Sequence, residues 1–204
     1  MQPDTDGTAS NHAKRMAQKK TARERMMQSK SGRKGLLVIY TGNGKGKSSA
    51  AFGLVLRCIG HGLKTGVVQF IKGARDTAEH RVLSSFPELV TFLSMGEGFT
   101  WETQNRDRDV ATAQRAWKVA ESMLADPTYR MVILDELNIA LRYNYLPLEQ
   151  VLTAILARQK DQHVIITGRN APKDLVEAAD LVTEMSLIKH HFRSGIGAQP
   201  GIEY

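Results

Sequence analysis

Leu36-Leu37-Val38-Ile39-Tyr40-Thr41-Gly42-Asn43-Gly44-Lys45-Gly46-Lys47-Ser48-Ser49-Ala50-Ala51-Phe52 is the stretch that decides the fold. Its first five residues are an apolar run of strand length, its middle is rich in glycine, and a helix candidate follows from Lys47. A Walker A loop is a Gly, four residues, then Gly-Lys-Ser/Thr. Here Gly46-Lys47-Ser48 match, Thr41 replaces the first Gly, and Gly42 supplies the tight turn one step later. Glycines let the backbone aim its N–H groups inward and approach phosphate oxygens closely. The following helix start adds a positive dipole end, Lys47 a point charge and Ser48 a hydroxyl able to ligate magnesium. Placed between a buried strand and a helix, the pattern reads as a P-loop for a nucleoside triphosphate with Mg2+. The binding set is Thr41, Gly42, Asn43, Gly44, Lys45, Gly46, Lys47, Ser48 and Ser49.

Outward from the loop, apolar runs alternate with helical stretches. Residues 36–40, 67–71, 89–93, 131–134, 164–167 and 181–185 read as strands, several of them buried on both faces. Residues 47–59, 77–85, 106–124, 147–159 and 172–179 read as helices, with Pro147 and Pro172 where a first turn tolerates proline. This alternation predicts an α/β fold, a single P-loop domain whose open, mostly parallel sheet carries helices on both faces. The run at 131–134 ends in Asp135-Glu136, the Walker B arrangement, which brings a carboxylate to the metal directly or through water. Glu136 is then either a catalytic base, as in an ATPase, or a second acid beside the metal.

The chain has 204 residues, 42% hydrophobic and 24% charged, which suits one soluble globular domain. No apolar stretch is long enough to cross a bilayer, and the N-terminus lacks the apolar core of a secretory signal. Cys58 is the single cysteine, which excludes an internal disulfide. It reads as a small buried residue in a reducing, cytoplasmic protein. Nine Lys/Arg and three acids fall within residues 1–34, so six of the seven net positive charges lie there. The domain at 35–204 is close to neutral, which argues against nucleic acid as its partner. Within the basic segment residues 1–10 read as disordered, 12–29 as a helix with a weak apolar stripe, and Ser31-Gly32 as a hinge.

P-loops serve many chemistries, so function has to be read elsewhere. Residues 96–105 carry Phe99 and Trp101 among Gly and polar residues, without helical or strand periodicity. Such aromatics either tuck into the core or form a platform for a planar ligand. TGNGKGKS (41–48), VVQFIKG (67–73), GFTWETQNR (98–106), LDEL (134–137), YLPLEQV (145–151), VIITGR (164–169) and AQPGIEY (198–204) recur together in one family. On these motifs the chain resembles the P-loop ATP:cob(I)alamin (corrinoid) adenosyltransferases over residues 35–204.

The resemblance implies that cobalt(I) of a corrinoid attacks the ribose 5′ carbon of ATP and that triphosphate leaves whole. It implies ATP bound in reverse, with the loop on the leaving chain. Lys47 would stabilise the developing charge, Ser48 and Glu136 would ligate Mg2+, and Asp135 would stand behind them. Phe99 and Trp101 would displace the lower axial ligand, leaving a four-coordinate centre that an electron-donor protein can reduce. The basic helix would close over the corrinoid as a lid, and the enzyme would be a homodimer. Ser48 where Thr is common, and unfamiliar residues at 74–89, are the departures.

Asp161-Gln162-His163 begins a cobalamin-ligand motif, but Ile166 stands where Gly is needed. His190 and His191 have no metal-ligand spacing in the sequence and read as surface or substrate-edge residues. Arg169 and Asn170 follow a strand, where α/β folds bind ligands. The rival readings are an ATPase or kinase, with Glu136 activating the nucleophile, and a nucleic-acid-binding regulator that uses the tail.

Overall fold

The central apolar runs become strands because they have two hydrophobic layers to satisfy, whereas the run at 181–184 stays exposed. In the computed structural model, which describes residues 6–73, 77–96 and 105–203, the strands are β1 (Leu37–Thr41), β2 (Thr65–Gly73), β3 (Val90–Gly96), β4 (Met131–Asp135), β5 (His163–Thr167) and β6 (Leu181–Glu184). They form one sheet in the order β3-β2-β4-β5-β1-β6, and every pairing is parallel. The expectation of a mostly parallel sheet is met in its strict form.

Two cores lie against the two faces. Leu37, Ile39, Val68, Val132, Leu134, Val164 and Ile166 point into one. Val38, Val67, Met131, Ile133 and Ile165 point into the other. Adjacent strand residues alternate between the layers, so a continuous apolar run is the required pattern. On the first face pack α4 (Arg106–Ala125), α5 (Leu137–Arg142), α6 (Leu148–Leu156) and α7 (Lys173–Ala178); Trp117, Leu137, Ile155 and Leu175 are fully buried there. On the second face α2 (Lys47–Gly60) contributes Ala51, Phe52, Val55 and Cys58, and the short α3 (Ala78–Leu83) contributes Leu83. Cys58 is therefore the small core residue expected, and burial pushes its thiol pKa up.

The differences from the sequence reading have local causes. The helix α5 was not foreseen, because six residues are too few to show a period. Pro147 and Pro172 stand at the N-caps in extended conformation, one position before the first helical turn. The chain divides into units Met1–Arg33 and Lys34–Tyr204. The first contains α1 (Asp6–Gln28), which begins within the stretch expected to be disordered. Once a helix is nucleated, each further residue adds a bond for two dihedrals fixed, so an end extends readily. The described side chains of α1 are all exposed.

Candidate active site

In an all-parallel sheet the strands' C-terminal ends share one edge, and ligands bind in the crevice outside it. The loops leaving β1, β4 and β5 meet there around a cleft of about 440 Å³. Gly44, Lys45, Gly46, Lys47, Ser48 and Ser49 line it from the first loop. Glu136 lines it from the second, Ile139 from the α5 helix that follows, and Arg169 from the third loop.

The phosphate loop is shaped by its glycines and by an edge strand. Gly42 (φ 93°) and Gly46 (φ 103°) adopt the left-handed conformation that favours Gly. A Cβ on Gly42 or Gly44 would lie 2.5 or 2.7 Å from the Met185 carbonyl oxygen just past β6. The Gly44 N–H donates to that oxygen at 2.6 Å. These two glycines are therefore required for packing on Met185, a task the motif does not reveal. Gly46 caps α2 without any side-chain hydrogen bond, which leaves the first-turn N–H groups facing the cleft. Thr41, in place of the motif's first Gly, accepts a hydrogen bond through Oγ1 from the Ala171 N–H at 3.2 Å. It thus ties the loop after β5 to the loop after β1. Thr41, Gly42 and Asn43 lie outside the cleft lining.

Lys47 is 8% exposed, and its Nζ donates to the Gly44 carbonyl at 2.6 Å. Burial lowers its pKa, Glu136 opposes this, Arg169 and Lys45 add to the lowering, and Asp135 opposes it. Asp135 is fully buried and accepts from Gln69 Nε2 (2.8 Å) and Thr167 Oγ1 (2.7 Å), one on each neighbouring strand. The same Thr167 hydroxyl accepts the Glu136 N–H at 2.9 Å, so one side chain fixes both acids. Glu136 adopts a left-handed conformation (φ 62°), uncommon for a non-glycine residue and frequent at functional sites. The turn carries Glu136 to the cleft while Asp135 stays in the sheet. Gly168 (φ 124°) makes room beside them, since a Cβ there would come within 2.9 Å of the Asn138 Cβ.

Ser48 and Glu136 thus offer hard oxygen donors on one cleft, the donor type that Mg2+ takes. Asp135 has both carboxylate oxygens engaged by neighbouring strands, so it would stand behind any cation held there rather than bind it directly. Sequence reading missed Glu79, Ile139, Arg142, Tyr143, Ile202 and Glu203, which also line the cleft. Arg142 and Tyr143 come with the unforeseen α5. Glu203 arrives from the chain's far end, pairing with Lys45 and with His191 Nε2, the latter at 3.1 Å. Arg169 lies where expected, whereas Asn170 does not line the cleft. His163 is structural: its Nδ1 accepts the Leu36 N–H at 3.1 Å, and burial lowers its pKa. Phe99 and Trp101 lie outside the described residues.

Strand, glycine loop, helix and an acid pair at a strand's end define an α/β fold consistent with a P-loop NTPase-like domain. The family model for ATP:corrinoid adenosyltransferase BtuR/CobO/CobP matches residues 33–204. A corrinoid adenosyltransferase of Pseudomonas aeruginosa is 55% identical over 193 residues, 95% of each chain. One from Sinorhizobium sp is 52% identical over 195 residues, 95% of this chain and 91% of the relative. The corrinoid adenosyltransferase CobA of Salmonella typhimurium is 49% identical over 171 residues, 84% of this chain and 86% of the relative. The chain belongs to the ATP:corrinoid adenosyltransferase family, enzymes that transfer the adenosyl group of ATP to a corrinoid.

Proposed function

We propose that this chain moves the 5′-deoxyadenosyl group of Mg-ATP onto cobalt(I) of a corrinoid, with the cleft holding the triphosphate that leaves. The observation that carries this reading is the meeting, in one cleft, of the uncapped N-terminus of α2, Lys47, Ser48 and Glu136. Cobalt(I) supplies the electron pair of the new cobalt–carbon bond, and the pair of the broken carbon–oxygen bond departs on triphosphate. Charge therefore grows on the leaving oxygen. Lys47 and the N–H groups of residues 46–49 face that charge, and pre-aimed donors are the largest contribution in most such sites. Bound by Ser48 and Glu136, Mg2+ would neutralise charge along the phosphate chain. No side chain has to remove a proton, because cobalt(I) is already a strong nucleophile. Glu136 serves as a metal ligand in this reading, and Asp135 holds the turn that presents it.

Phe99 and Trp101 are assigned to the corrinoid's lower face, where apolar rings offer cobalt no lone pair and favour the reducible four-coordinate form. An electron-donor protein would supply the electron. The basic segment would cover the corrinoid. A homodimer and a cytoplasmic location complete the reading. No helix among the described residues is long and apolar enough to cross a membrane.

Anaerobic incubation with chemically reduced cob(I)alamin and Mg-ATP tests this directly. The expected products are adenosylcobalamin and inorganic triphosphate in equal amounts, with Lys47→Ala impaired in nucleotide binding. Orthophosphate or ADP without a cobalt–carbon bond would return the protein to the ATPase or kinase class.

A further inference from the structure

We propose that His190, His191 and Glu203 form a binding site for one zinc-class divalent cation, distinct from the magnesium position at Ser48 and Glu136. The sequence separates these groups by a dozen residues, and the fold brings them together. Ligand-capable atoms of all three lie within 4.8 Å of one another. His191 Nε2 and Glu203 Oε1 are 3.1 Å apart. Two ligands at roughly 2.0–2.2 Å from a tetrahedral zinc stand about 3.4 Å apart, so this edge is close to the required length. The His190 ring stacks on His191 with centroids 4.7 Å apart, near enough to close the third corner by side-chain rotation.

Both halves of the site are held by backbone turns. His191–Ser194 is a 3₁₀ turn capped by His190, whose Nδ1 accepts the Phe192 N–H at 3.2 Å, and Gly195 closes it in left-handed conformation (φ 74°). Coordination through that same nitrogen would exchange this long contact for a metal bond. On the other side the Glu203 N–H donates to the Gln199 carbonyl at 2.9 Å. His191 Nε2 and Glu203 Oε1 are both shielded from solvent, so a cation binding there would displace little water from them. Glu203 has two oxygens, and Lys45 engages Oε2. Oε1 is left to the histidine side, where a cation can bind without releasing Lys45. Two imidazoles and one carboxylate suit zinc more than magnesium, and three protein ligands leave a fourth position for water or a ligand atom. The alternative is a plain His191–Glu203–Lys45 ion-pair chain with no affinity for metal.

The test is zinc titration of the full-length protein in excess Mg2+, with competition against a chromogenic chelator. One equivalent of Zn2+ is expected, unaffected by Cys58→Ser or Glu136→Gln. It should weaken roughly 10-fold or more in His191→Ala and in His190→Ala. Glu203→Gln keeps the side-chain shape and should weaken it too, which covers the case of a histidine variant that fails to fold. Zinc-edge X-ray absorption should report two imidazole ligands. Absence of stoichiometric zinc, or binding unchanged in all three variants, would overturn the site in favour of the ion-pair chain.

Discussion

At Lys47 the needs of folding conflict with those of the phosphate binding proposed for it. Burial favours the neutral amine, while an arriving triphosphate favours the ammonium, and Arg169 and Lys45 already crowd the site with like charge. Its pKa in the free protein lies below the ordinary lysine value, and bound triphosphate should raise it again. Between those two values binding takes up a proton, so ATP affinity should fall as pH rises through the free-protein value. Lys47→Arg stays charged throughout this range and should show no such fall. Dissociation constants for both proteins from neutral pH to about pH 10, where a normal lysine titrates, decide the matter. Parallel curves would mean that another group titrates. The place of Lys47, Ser48 and Glu136 in the cleft was legible because these residues sit in short local motifs. Glu203 and Tyr143 were not, because nothing local ties a residue at the chain's end, or on an unforeseen six-residue helix, to a phosphate loop.

Strands and long helices were legible for a related reason: burial on two faces writes continuous apolar runs, and a twenty-residue helix such as α4 writes its own period. Their connections are less so. The start of β6 is tied to β1 by Asp180, whose Oδ2 accepts the Leu37 N–H at 2.9 Å and whose Oδ1 pairs with the Lys34 ammonium. These two donors, Lys34 first, hold the Asp180 pKa below the ordinary carboxylate value. Lys34 is largely exposed, so most of the benefit should come from the backbone bond. Asp180→Ala should cost roughly 1–3 kcal/mol at neutral pH. A carboxylate with a lowered folded pKa stabilises the protein above its unfolded pKa, and that contribution is lost as pH falls through the folded value. The melting difference between wild type and variant should therefore shrink on acidification below pH 4. A difference that persists unchanged would show that the charge of Asp180 is irrelevant to its role.

On the scale of the molecule, the buried hydrophobic residues named in both cores fall between Leu37 and Leu175, within the second unit. A chain beginning at Lys34 should therefore melt at the temperature of the full protein. The lid reading adds that it should bind the corrinoid more weakly while its ATP affinity is kept. A lowered melting temperature would make the basic segment part of the folded core instead. The charge imbalance at 1–34 was plain from the sequence, but the exposed side chains of α1 leave no periodic trace of a partner. The edge strand gives the fold a further property. Because Gly42 and Gly44 rest on the Met185 backbone, residues 41–48 are not a portable cassette. Grafted between a strand and a helix elsewhere, the same eight residues would arrive without their floor, and a matching motif alone would overstate the resulting affinity.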